Sequence, residues 1–143
     1  MNEITDINRS LPAHLINAGK RIAQLVDERL SAVGLSNARL WSLHSIVTTD
    51  ALETVVTVTC LADLMNTTKS NVTAMVDRLI AEGLVTRNHS VEDRRTVVIA
   101  LTDEGQRRYA AGLEVVQAFH AELSQRFSAD ELQLLNCIMD KLP

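Results

Sequence analysis

With 143 residues the chain is long enough for one domain with a real core, needing neither disulfides nor a structural metal. Hydrophobic residues make up 46% and charged ones 22%, the balance of an ordinary soluble fold. The net charge of −4 means that any contact with nucleic acid must rest on how charge is arranged, because its total is unfavourable.

The N-terminal stretch Met1 to Ser10 carries Glu3 and Asp6 where an export signal has basic residues, and no apolar segment follows. No run approaches the roughly 20 apolar residues that span a bilayer. Ser10 then caps a long first helix with Pro12 in its first turn, and Leu11, Leu15, Ala18, Ile22, Leu25, Val26 and Leu30 recur at helical spacing up to Ala32 and the stop at Gly34. Ser36 caps a second helix striped by Leu40, Leu43 and Val47, with Trp41 and Ile46 beside them. Thr49 to Thr54 reads as a turn, and Val55 to Val58 as a minor strand edging a later hairpin.

Thr57 or Thr59 starts a third helix, with Leu61, Leu64 and Met65 facing inward. Asn66 suits a tight turn, and Thr68 caps a fourth helix whose Val72, Met75, Val76, Leu79 and Ile80 form a core-facing stripe. Gly83 ends that helix. Two β-branched runs, Leu84 to Arg87 and Thr96 to Leu101, then flank a charged tip holding Asp93, Arg94 and Arg95. Thr102 caps a long helix from Asp103 to about Arg126, striped by Tyr109, Leu113, Val116, His120 and Leu123. Ser128 and Glu131 form a capping box before a last helix carrying Leu132, Leu135, Ile138, Met139 and Leu142.

The fold class is mainly all-α, a winged helix-turn-helix with a small β-hairpin wing and long terminal helices. The organisation is a single domain, with residues 36–102 as a DNA-binding head and residues 11–35 and 103–143 as a dimerisation region. In such a head the second helix of the pair enters the major groove. Thr68, Lys69, Ser70, Asn71 and Thr73 occupy that position, and Asn71, able to bond adenine bidentately, is the candidate for direct readout. Arg95 and Arg94 at the wing tip suit the minor groove or a phosphate, with Asp93 orienting Arg95. From Thr57 to Leu101 the cations Lys69, Arg78, Arg87, Arg94 and Arg95 are balanced by Asp63, Asp77, Glu82, Glu92 and Asp93, so this part of the head is formally neutral.

Three segments carry a family resemblance: Glu92-Asp93-Arg94-Arg95 through Val97, Leu101-Thr102 and Gly105; Leu61 to Thr73; and Val76-Asp77-Arg78-Leu79-Ile80-Ala81-Glu82-Gly83-Leu84-Val85. From about Leu11 to Leu142 the chain resembles the MarR family of bacterial winged-helix transcriptional regulators. The resemblance implies a homodimer formed by the first, fifth and sixth helices. It also implies binding to inverted repeats in double-stranded DNA, usually as a repressor, and release by a small phenolic or other aromatic effector, or by oxidation. It further assigns Arg95 to the minor groove, Asp93 as its orienting acid, and Thr68, Ser70, Asn71 and Thr73 to the major groove. The chain departs from the pattern at Ala74, where arginine is frequent, at Ser90-Val91, where Asp-Pro usually opens the wing turn, and at Asn66, where glycine is common. Modest affinity with strong salt dependence is the expectation.

The family's effector crevice lies between the dimer helices and the head. Trp41 and His44 are candidates for it, and Arg21 or Arg39 for pairing a carboxylate, although Trp41 also fits the core and His44 a local hydrogen bond. The peroxide-sensing branch uses a cysteine near the start of the first helix, where this chain has His14. Cys60 and Cys137 have no metal-like spacing, and both read first as small hydrophobes in a reducing cytoplasm. No metal and no cofactor are implied. Phosphate loops, nucleophile elbows and zinc helix motifs are absent, so the chain does not read as an enzyme. The alternative is a winged helix serving protein–protein contacts, for which the neutral head is suited but the arginine-tipped wing would be idle.

Overall fold

A computed structural model describes residues 10–51, 55–90 and 96–141. Among the described residues, six α-helices and one hairpin follow each other as α1 (Leu11–Leu30), α2 (Asn37–Ala51), α3 (Val58–Leu64), α4 (Lys69–Ala81), β1 (Val85–His89), β2 (Val97–Leu101), α5 (Asp103–Ser124) and α6 (Ala129–Met139). Each helix start is closed by a short oxygen-bearing side chain. Ser10 accepts from Ala13 N–H, Ser36 from Arg39 N–H, Thr57 from Cys60 N–H and Thr68 from Asn71 N–H. Thr102 accepts from Gly105 N–H, and Ser128 and Glu131 complete the reciprocal box on α6. A 3-10 turn over Ser31–Val33 extends α1 to Gly34, whose φ of 70° supplies the left-handed stop. Asn66 takes the same conformation, with φ 48°, in the tight turn between α3 and α4.

The core sits mostly within residues 36–102 and is joined by Leu30 from the end of α1. Leu30, Leu43, Ile46, Val56, Leu61, Val72, Val76, Leu79, Leu84, Val85 and Ile99 are all at most 2% exposed. Burying side chains of this size stabilises by about 1.5–3 kcal/mol each before conformational entropy is charged against it. The strands pair antiparallel from Val85↔Leu101 to His89↔Val97, and Ser90 N–H donates to Thr96 O beyond the last pair. The residues joining them, 91–95, lie outside the described chain, so Asp93, Arg94 and Arg95 are not placed.

Along α5 the buried positions are Gly105, Gly112 and Phe119, one every second turn. The two glycines let neighbouring elements approach the helix axis. A Cβ at Gly105 would stand 2.0 Å from Leu84 O, and one at Gly112 would stand 2.8 Å from Leu40 Cδ1. The predicted stripe of Tyr109, Leu113, Val116 and Leu123 flanks this seam and is half-buried, while His120 is exposed.

Several expectations need correction. The turn predicted from Thr49 is helix as far as Ala51, because Thr49 Oγ1 donates to Ser45 O and is satisfied on the helix itself; residues 52–54 are outside the described chain. The minor strand at Val55 to Val58 reduces to one backbone bond, Ile99 N–H to Val56 O at 2.9 Å, and Val58 already belongs to α3. Leu64 faces outward at 52% exposure; the short α3 buries Leu61 and Ala62 instead. Ile80 is likewise at the surface, and α5 ends at Ser124. Leu142 lies outside the described residues.

Candidate nucleic-acid interface

The fourth helix presents two faces. Its inner stripe of Val72, Val76 and Leu79 is buried, and its opposite face, Lys69, Ser70, Asn71, Thr73, Ala74 and Asp77, is exposed. The periodicity forces this: residues three and four apart share a side, so fixing the valines in the core turns the small polar residues outward. Thr68, as cap, turns its hydroxyl to Asn71 N–H at 3.2 Å. Asn71 Nδ2 donates to Thr67 Oγ1 at 3.0 Å, a contact the sequence reading did not anticipate.

Ion pairs occupy part of the head's positive charge. Arg87 on β1 reaches Asp77 on α4 at 2.6 Å, tying the fourth helix to the hairpin. Arg39 on α2 forks onto Glu82 at the end of α4, with Nε at 2.7 Å from one carboxylate oxygen and Nη2 at 2.5 Å from the other. That charge-assisted fork holds the Glu82 carboxyl below its ordinary range, the hydrogen bond from Arg39 being the largest cause. Lys69 and Arg78 are exposed, and no ion pair engages them among the described residues.

Behind the head, α1, α2 and α5 enclose an open groove of about 510 Å³. Trp41, His44, Phe119 and His120 give it an aromatic wall, and Ile22, Val26 and Val116 an aliphatic one. Trp41 is 59% exposed, so it is not a core residue; it lies edge-on to His44 with ring centroids 5.4 Å apart. His44 Nδ1 and the Tyr109 hydroxyl share a 2.8 Å hydrogen bond, and burial pushes the Tyr109 phenol above its ordinary value. The structure therefore brings Trp41 and His44 together. It does not bring the arginines to them: Arg21 is exposed outside the groove lining, and Arg39 is turned toward Glu82 on the other side of α2. Nothing in the local sequence signals the Arg39–Glu82 pair, because its members are 43 residues apart.

Cys60 is half-buried and Cys137 exposed, both as free thiols. Among the described residues no three His, Cys, Asp or Glu side chains gather as a metal site, and no helix is long and apolar enough to cross a membrane.

A family profile described as MarR family matches residues 50–97, the span from the end of α2 through the wing. The HTH-type transcriptional repressor MdtR of Bacillus subtilis is 32% identical, with 91% of each chain covered. The chain belongs to the MarR family. The multiple antibiotic resistance protein MarR of Escherichia coli is 29% identical over 99% of this chain and 93% of its own. A crystal structure of an E. coli MarR mutant complexed with operator DNA matches with a TM-score of 0.74 and 28% identity, covering 95% of this chain and 97% of the other. MarR proteins are transcriptional regulators and not enzymes, and the mainly helical chain with one antiparallel hairpin has their winged-helix fold.

Proposed function

We propose that this MarR-family chain is a homodimeric repressor that binds a pseudo-palindromic operator in double-stranded DNA. The observation that carries this reading is the division of α4 into a buried Val72/Val76/Leu79 stripe and an exposed polar face, in a chain similar to one seen on operator DNA. Thr68, Lys69, Ser70, Asn71 and Thr73 meet the major groove. Arg95, oriented by Asp93, enters the minor groove, and Arg94 does the same or clamps a phosphate. Two heads place their recognition helices about 34 Å apart, one helical turn of DNA.

The dimer reading is supported by apolar side chains that one subunit leaves open: Ile16, Ile22 and Leu25 on α1, Phe127, and Leu134, Leu135 and Met139 on α6. Helix α6 has no buried residue at all. Large apolar side chains left exposed in this number suit an interface. Residues 36–102 act as the head, and residues 11–35 and 103–143 as the dimerisation region. The effector reading is supported by the groove beside Trp41 and His44, which suits a small aromatic or phenolic ligand. The protein acts in the cytoplasm, where its DNA is.

Fluorescence anisotropy tests the reading: labelled duplex from upstream of the protein's own gene, titrated beside a scrambled duplex at the same salt. Preference for the native duplex, saturating at two chains per site, is expected. Equal affinity for both duplexes would overturn specific binding and favour a protein-contact role. Light scattering of the free protein checks the dimer, for which the mass of a single chain would be the refuting result.

A further inference from the structure

Resting on the DNA-binding reading, we infer that Thr67 is a positioning residue that pre-sets the Asn71 carboxamide to read adenine. Of the exposed side chains on the outer face of α4, those of Lys69, Ser70 and Thr73 make no hydrogen bond within the described protein. Asn71 is held twice. Its backbone N–H donates to Thr68 Oγ1 at 3.2 Å, and its side-chain Nδ2 donates to Thr67 Oγ1 at 3.0 Å. Thr67 is itself anchored, its N–H donating to the carbonyl of Ala62, which is 4% exposed in the core. The left-handed Asn66 delivers Thr67 to that place. The carboxamide is therefore tied through Thr67 to the buried Ala62 of α3.

This bond uses one of the two Nδ2 hydrogens. The second remains, and Oδ1 accepts no hydrogen bond among the described residues. An acceptor and a donor side by side match the adenine edge, where N6 donates and N7 accepts; guanine offers two acceptors there and opposes Oδ1. An untethered carboxamide torsion is broad and two-fold, so binding must freeze it. Thr67 removes part of that ordering cost before DNA arrives.

A bland role for Thr67, tightening the turn only, would weaken binding to every sequence alike. The readout is therefore the base-preference profile, measured by selection from a randomised duplex pool with wild type, Asn71→Ala, Thr67→Val and Thr67→Ser, each checked by thermal melting. The wild-type motif should contain an adenine preference that Asn71→Ala abolishes. Thr67→Val should lower preference at that same position by about threefold to tenfold, the cost of immobilising one side chain on binding. Flanking positions should keep their preferences, and Thr67→Ser should restore the wild-type profile. Thr67→Ala replaces Thr67→Val if the latter does not fold. An unchanged profile in the Thr67 variants, a uniform loss at all positions, or an adenine preference that survives Asn71→Ala would overturn the inference. A wild-type pool that enriches no motif would instead overturn the DNA-binding reading beneath it.

Discussion

Replacing Gly105 by alanine sets two physical effects of opposite sign against each other. Gly105 lies in the first turn of α5, and helix propensity alone predicts that Gly105→Ala stabilises by about 1 kcal/mol. The packing predicts the reverse. The added Cβ would stand 2.0 Å from Leu84 O, whereas an ordinary C···O contact is about 3.3 Å or more, so helix and wing base must part by over an ångström. The obstacle is backbone and cannot swing aside. The same junction carries Thr102 N–H donating to Leu84 O at 3.0 Å and Thr102 Oγ1 donating to Gly83 O at 2.7 Å, and both would stretch beyond hydrogen-bonding range. Overpacking costs about 1–3 kcal/mol and each lost bond about 1 kcal/mol, so after the propensity gain the variant should be less stable by about 3 kcal/mol. For a chain of this size that lowers Tm by about 10 °C. Melting by circular dichroism measures it, with all variants at one protein concentration because a dimer's Tm depends on concentration. Gly112→Ala, opposed only by the movable ends of Leu40 and Leu35, should fall between. Gly19→Ala, with nothing within 4 Å of its new Cβ, should gain about 1 kcal/mol. A Gly105→Ala protein melting at or above wild type would refute the close approach of Leu84.

Three further outcomes are expected. Arg95→Ala should weaken operator binding by about 1–3 kcal/mol with an unchanged melting curve; equal affinity in anisotropy would remove Arg95 from the interface. With Arg87 and Arg39 paired internally, Lys69 and Arg78 are the cations of residues 36–102 that no ion pair engages among the described residues, and Arg94 and Arg95 at the wing tip bring the count in each head to four. The log–log salt slope of a dimer should therefore not exceed about 7, at roughly 0.9 per phosphate, and a steeper slope would show that the internal pairs open on binding. The depressed Glu82 carboxyl contributes stability that is full above its ordinary value of 4.5 and disappears as the pH falls through its lower folded value. The stability gap between wild type and Glu82→Gln should thus be at most about 1 kcal/mol at neutral pH, since the pair is partly exposed, and should close in acid. A gap constant down to pH ~3 in urea titrations would count against the pair.

What the chain announces locally, it announces well. Ser10, Thr68, Thr102 and the Ser128/Glu131 box are helix starts because their oxygens satisfy donors three residues away, and such signals survive without knowledge of the tertiary structure. Asn66 and Gly34 mark stops for the same local reason. Errors arose where packing decides. Val55 to Val58 has strand composition, but Thr57 offers a better cap and draws Val58 into α3. Leu64 is apolar, but seven residues of helix have room to bury only one side. Trp41 resembles a core residue until α1 and α5 are seen to leave it facing a groove. The polar face of α4 was legible from periodicity, whereas Thr67 at its edge and the Arg39–Glu82 fork were not, because each depends on how separate segments meet.

The two internal ion pairs of the head bear on how a regulator finds its operator. A chromosome offers about 10⁶–10⁹ competing non-specific sites, and the grip on each comes almost entirely from unengaged Lys and Arg. By keeping Arg39 on Glu82 and Arg87 on Asp77, the head would, on the proposed reading, hold random sequence less tightly. On that reading fewer molecules would be sequestered along the genome, and a smaller cellular pool would keep an operator occupied.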